Sequence, residues 1–256
     1  MLRLLCGLLL CLLPFTNQAS NKIYLNIYTE SLPPFQFKTE TGEIDGVNIT
    51  ILKNLLTSSG VDYSLEIYPW SRAYRTALNN DNGALISTAR TKYREPLFHW
   101  VGPFLSTSTG VYLYSLAKHD IGTIKQVEEL SKYSIGTVRD DVFGNKLLIW
   151  GVPEENIISF ADNDTAHQML FSGKVDLVIA SQNTILDSAS KYGYTSVDVV
   201  KNYYIPASSG NYLAINKAVP KELVKILNNK LVEIQKDTDL ARLQTKYKVQ
   251  KKLHWR

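Results

Sequence analysis

Apolar and polar residues alternate over residues 22–29 (KIYLNIYT), which predicts a strand. Pro33 and Pro34 end it, because a proline ring donates nothing to a ladder. After Gly46, the residues Val47, Ile51, Leu52, Leu55 and Leu56 recur at helical spacing. Gly60 then stands where a helix takes a left-handed residue, so the helix is expected over 47–59. A second strand is predicted over 63–68, and Ser71 is placed to cap a helix running through Leu78. The apolar run Ala84-Leu85-Ile86 predicts a third strand, ending in the hydroxyls of Ser87 and Thr88. Thr91 is then placed to cap a short helical turn, Tyr93-Arg94-Glu95, ahead of Pro96.

The second half repeats this alternation. Helices are predicted over 125–131, 140–150, 164–172 and 182–191, and strands over 134–138, 157–160, 175–180, 198–200 and 211–215. Residues 220–234 form an amphipathic helix with Leu223, Ile226, Leu227, Leu231 and Ile234 on one face, a final helix covers 239–247, and 248–256 is a basic tail. Short strands alternating with helices imply an α/β fold in layers, with parallel sheets.

The first twenty residues are of a different kind. Arg3 is followed by an apolar run from Leu4 to Leu13, too short to span a bilayer comfortably, then Pro14 and a polar stretch up to Ala19 and Ser20. This pattern predicts a secretory signal peptide over 1–20 and hence export of the mature protein, with a retained membrane anchor as the alternative. Both cysteines, Cys6 and Cys11, lie inside it, so no disulfide or thiol chemistry is expected of the mature chain. Leu10 before Cys11 argues against lipidation. Losing Arg3 lowers the net charge from +4 to +3, too mild a balance to imply a nucleic-acid partner.

The candidate chemistry gathers at residues 84–104. Arg90 and Arg94 flank Thr91, beside a strand end rich in hydroxyls. A guanidinium can hold a carboxylate through two parallel hydrogen bonds, and helix-end amides attract the same group. The alternative is that both arginines are solvated surface charges. Trp70 either stacks on a flat or cationic ligand or packs in the core. The four histidines (His99, His119, His167 and His254) show no metal-ligand spacing, and no cofactor is expected. There is no Ser/His/Asp arrangement and no phosphate-cradling glycine loop.

Thr91-Lys92-Tyr93-Arg94 followed by Trp100-Val101-Gly102-Pro103-Phe104 resembles the ligand-binding corner of the bacterial family 3 solute-binding proteins. The opening strand with Pro33-Pro34-Phe35, the Pro69-Trp70 segment, Gly173-Lys174-Val175-Asp176-Leu177 and the two closing helices resemble the same family. The resemblance implies a two-lobed periplasmic-binding-protein-like (type II) fold with the ligand cleft between lobes. Lobe 1 would comprise 21–109 and 208–256, lobe 2 would comprise 110–207, and the crossings would fall near 106–112 and 201–208.

By that resemblance Arg94 grips a carboxylate, Ser87 and Thr88 lie at the donor-bearing strand end, the backbone near Ala89 donates, Trp70 sits at the cleft edge, and Arg90 assists or faces solvent. Ala89 stands where the family offers a serine. In lobe 2 the family's small residues are replaced by Arg139, Asp140 and Asp141, and Ser181 follows the strand where many amino-acid binders carry an acid. Glu30, Asp140 and Asp141 are therefore candidate partners for an ammonium group, or else ordinary surface acids. The implied function is a monomeric, non-catalytic periplasmic binding protein that delivers a small polar, carboxylate-bearing solute such as an amino acid to an ABC permease. The alternatives on the same fold are a sensory module and an enzyme like the cyclohexadienyl dehydratases, with Glu30 or Asp141 as its acid.

Overall fold

The computed structural model describes residues 23–105, 111–206, 211–237 and 240–247. The expected signal peptide and the basic tail lie outside the described residues, as do 106–110, most of the first expected crossing, and 207–210, which take in the end of the second.

In chain order the first lobe contains β1 (Tyr24–Thr29), β2 (Phe37–Lys38), β3 (Ile44–Asp45), α1 (Val47–Ser58), β4 (Asp62–Ile67), α2 (Trp70–Asn79), β5 (Gly83–Thr88) and β6 (Phe98–Leu105). The second contains β7 (Val111–Leu116), β8 (Ile135–Val138), α3 (Val142–Ile149), β9 (Ile157–Phe160), α4 (Asn163–Phe171), β10 (Leu177–Ala180), α5 (Gln182–Lys191) and β11 (Val199–Ile205). The chain then returns to the first lobe with β12 (Asn211–Asn216), α6 (Lys221–Asp237) and α7 (Leu240–Lys246). Most predicted elements stand within a residue or two of their expected ends. The helix expected over 125–131 is instead a tight 3-10 turn at Val127–Lys132. Strands β6 and β7 were not anticipated.

Each lobe is built on a five-stranded sheet, in the orders β4-β1-β5-β12-β6 and β11-β7-β10-β8-β9. Neither is wholly parallel, contrary to the sequence expectation. β1 runs parallel to β4 and β5, but β12 arrives from the other lobe in the opposite sense and inserts antiparallel between β5 and β6. In the second sheet β7, the strand that arrives from the first lobe, is antiparallel to β10 and β11. The strands that flank the two crossings are paired: Leu105 with Asn211 in the first lobe and Val111 with Ile205 in the second.

Helices cover both faces of the first sheet. Ile51, Leu52, Leu55 and Leu56 of α1 are fully buried against β1, β5 and α6. Burying such side chains contributes about 1.5–3 kcal/mol each. On the opposite face α2 lays Trp70, Tyr74 and Ala77 against Phe98 and Trp100, and Val138 of the second lobe packs into the same cluster. Rings run in edge and tilted contacts from Trp70 through Tyr74, Phe98 and Trp100 to Tyr212, with centroids 5.8–6.0 Å apart.

The start of α1 fixes the loop that will wall the cleft. No side chain caps this helix. Instead the N–H groups of Val47 and Asn48 donate to the carbonyls of Pro34 and Phe35, at 3.2 and 3.0 Å. The approach requires glycine at 46, whose φ is 134° and whose hypothetical Cβ would lie 2.4 Å from the Phe35 oxygen. Gly46→Ala is therefore expected to destabilise the protein by roughly 1–3 kcal/mol, the cost of a strained backbone position. A urea unfolding midpoint equal to that of the wild type would refute the constraint.

Candidate functional site

A cavity of about 180 Å³ lies between the lobes. The first lobe supplies Glu30, Leu32 and Phe35 from the loop after β1, Trp70 from α2, Ser87 from the end of β5, and Ala89 and Arg94 from the segment after it. The second supplies Thr137 and Asp141 from the end of β8, Asn163 from the first turn of α4, and Ser181 and Thr184 from the start of α5. The end beside the crossing strands is lined by Val111, Ile179 and Asn211, with no charged group among them.

Arg94 is 3 % exposed, which is unusual for an arginine. Thr91 starts the local turn by accepting from the Arg94 N–H through its hydroxyl at 3.2 Å and from the Glu95 N–H through its carbonyl at 2.8 Å. The guanidinium lies over the rings of Trp70 and Tyr74, 5.1 and 5.2 Å from their centres. It donates to the Ala89 carbonyl at 3.2 Å and, across the cleft, to the Asp140 carbonyl at 2.8 Å. A guanidinium has five N–H donors, so these two bonds leave part of the fork for a ligand.

Two carboxyls share the cavity with this cation. Burial, then the negative charge of Asp141, raises Glu30 from the ordinary 4.5 to about 8, against the pull of the Asn163 amide and of Arg94. That amide crosses from the second lobe and donates to Glu30 Oε2 at 3.0 Å. Burial also raises Asp141, against the Val142 N–H and Arg94. Asp141 accepts from that N–H at 2.6 Å and so caps α3.

The other predicted residues divide. Trp70 is both core and cavity wall, which joins the two alternatives. Ser181 lines the cavity and caps α5 through the Thr184 N–H at 3.2 Å. Thr88 is fully buried off the cavity and donates to the Leu85 carbonyl. Arg90 points outward, held by Glu95 through two 2.6 Å bonds and lying beside the Trp100 and Tyr212 rings. Asp140, in a left-handed backbone conformation (φ 63°), also stands off the cavity. Its carboxylate accepts from the Ser71 hydroxyl and, at 3.0 Å, from Arg75 Nε. Burial pushes this carboxyl up, but those two donors outweigh it and bring the group below its ordinary value. Ser71 therefore does not cap α2, where Pro69 holds that place. One turn apart on α2, Ser71 and Arg75 grip the second lobe instead.

Sequence reasoning missed Asn163, and also Gln36 and Asn48 behind Ser87. A polar residue opening a helix reads as capping, and Asn48 interrupts an otherwise apolar face; neither signals a cleft. Among the described residues no group of three or more His, Cys, Asp or Glu side chains could hold a metal ion.

Residues 25–250 match the profile of the bacterial extracellular solute-binding proteins, family 3. The chain is 24% identical to the L-cystine-binding protein TcyJ of Escherichia coli (strain K12) over 216 residues, 84% of this chain and 78% of that protein. Among solved structures it is similar to an ancestral arginine-binding protein bound to arginine, with a TM-score of 0.74 at 21% identity over 88% of this chain and 98% of that one. It is also similar to an arginine transport-system periplasmic binding protein from Legionella pneumophila, with a TM-score of 0.73 at 18% identity over 88% and 99%. At these identities the structural likeness establishes the two-lobed fold.

The Glu30 shift has a consequence for stability. The folded protein keeps a proton on Glu30 that the unfolded chain releases near pH 4.5, so Glu30's contribution is fully present below that pH and is lost as pH rises through about 8. Glu30→Gln is expected to flatten this decline, seen as urea midpoints measured between pH 5 and 9. An equal decline in both proteins would show that Glu30 titrates normally.

Proposed function

We propose that this chain, which belongs to the bacterial extracellular solute-binding proteins of family 3, captures a small zwitterion of the amino-acid type in the periplasm and presents it to an ABC permease. The observation that carries this reading is the charge arrangement of the cavity. One buried guanidinium, Arg94, faces the same small space as two carboxyls, Glu30 and Asp141. A ligand carboxylate completes the Arg94 fork, which Ala89 and Asp140 leave partly open. A ligand ammonium sits against Asp141 and Glu30, and a positive charge arriving there favours release of the Glu30 proton. The uncharged end beside Val111 and Ile179 receives the side chain. The L-cystine ligand named for the curated relative fits the same class.

In this reading lobe 1 spans 21–109 and 208–256, lobe 2 spans 110–207, residues 1–20 direct export, and the protein works as a monomer. Ser71, Arg75 and Asp140 hold the lobes together outside the cavity, so closure over the ligand builds on contacts already made. One observation favours the enzymatic alternative. Glu30, protonated at neutral pH and facing the cavity, is the proton donor a dehydratase would need.

Thermal unfolding of the mature protein against a panel of amino acids, polyamines and dicarboxylates tests the proposal. A ligand at a hundredfold excess over its dissociation constant adds about 2.7 kcal/mol. One or a few amino acids are expected to raise the midpoint, and Arg94→Ala is expected to abolish the shift. A shift that survives Arg94→Ala, or none from any amino acid, would overturn the site. Recovery of the bound ligand unchanged after prolonged incubation separates binding from turnover.

A further inference from the structure

Ser87 presents a hydroxyl whose hydrogen is already committed. Its backbone is left-handed (φ 65°), at the last turn of β5, and it lines the cavity. Behind it lie Gln36 and Asn48, both completely buried. Ser87 Oγ is 2.7 Å from Gln36 Oε1 and 2.7 Å from Asn48 Nδ2, and those two amide atoms are 3.3 Å apart. A hydroxyl has one hydrogen and two lone pairs. Here the hydrogen goes to the Gln36 carbonyl, and one lone pair takes the Asn48 N–H.

The assignment does not depend on which way the amides are turned. Reversing both exchanges the roles of Gln36 and Asn48, and the hydroxyl hydrogen still goes to a buried carbonyl. Reversing one alone brings two like groups together at 3.3 Å, which buried amides avoid. In both consistent arrangements the hydroxyl has a lone pair left for the cavity and no hydrogen.

We propose that Ser87 accepts a hydrogen bond from the ligand's ammonium group, and that Gln36 and Asn48 are positioning residues which fix that polarity. This rests on the amino-acid reading above. A carboxylate brings acceptors and has nothing to give Ser87, so it is directed to Arg94. An ammonium brings donors and also answers Glu30 and Asp141 on the same cavity. The hydroxyl thereby contributes to the sense in which a zwitterion lies in the cleft. It also penalises an analogue that has a carbonyl in place of the ammonium, because two acceptors would then face each other in a space with little water.

The test is isothermal titration of the wild type, Ser87→Ala and Gln36→Leu with the amino acid that binds best in the panel and with its α-keto acid. Ser87→Ala is expected to weaken the amino acid roughly tenfold or more, the scale of a hydrogen bond to a charged group, and to tighten the keto acid, whose carbonyl no longer faces an acceptor. Gln36→Leu removes one of the two partners, lets the hydroxyl turn its hydrogen into the cavity, and is expected to narrow the keto-to-amino ratio of dissociation constants. A merely structural role would weaken both ligands together and leave the ratio alone.

Equal weakening of both ligands by Ser87→Ala, or no weakening, overturns the proposal. An unchanged ratio in Gln36→Leu, including a keto acid undetected in both proteins, overturns the positioning role. Should Gln36→Leu fail to fold, Ser87→Ala alone still decides the acceptor role. Binding that requires Arg94 but ignores Ser87→Ala leaves the amino-acid reading standing and removes this inference. A wild type that binds no amino acid removes both.

Discussion

A guanidinium withdrawn from water has to be answered on every side, and the cleft is organised around that requirement. An isolated buried charge is prohibitively unfavourable, so the groups around Arg94 are not free to vary independently. Trp70 and Tyr74 give it π-faces, Ala89 gives it a carbonyl from its own lobe, and Asp140 gives one from the other lobe. The Asp140 carbonyl is aimed by a left-handed backbone, and the carboxylate of the same residue is held by Ser71 and Arg75. One cation thus ties together the turn after β5, the α2 helix and the loop that opens α3.

The acids obey the complementary rule. Glu30 and Asp141 cannot both ionise comfortably in one small space that holds a single cation. Burial raises both, Glu30 to about 8, while Asp141 has the Val142 N–H and Arg94 to oppose the rise. The cavity therefore has a proton on Glu30 to exchange for a positively charged group. This separates it from Asp140, one residue away, whose donors hold it ionised outside the cavity.

Much of this was legible in the sequence, because the pattern of apolar residues is set by packing against a sheet. The α1 stripe Val47, Ile51, Leu52, Leu55 and Leu56 gave its helix directly, and the segment from Ser87 to Arg94 pointed to the cleft. The failures have physical reasons. β6 was hidden because its aromatic run, Phe98 to Phe104, carries a glycine and a proline and does not alternate. The sheets were expected to be parallel because nothing local records that β12 returns from another lobe. Asp140, Asp141, Arg90 and Thr88 could not be separated by chemistry alone. One residue of backbone turn decides which of the two aspartates meets the cavity, and a neighbouring glutamate decides where Arg90 points. Gln36 and Asn48 were invisible because they act through Ser87.

The paired crossing strands bear on kinetics. Leu105 pairs with Asn211 and Val111 with Ile205, so each lobe sends out and takes back the chain on strands that lie next to each other. A solute resting on one wall does not have to wait for the second wall by free diffusion. That wall is tethered to the first by the chain itself and so is held at high effective concentration. An encounter with a solute is bimolecular at its first step alone, and engagement of the second wall is an intramolecular event.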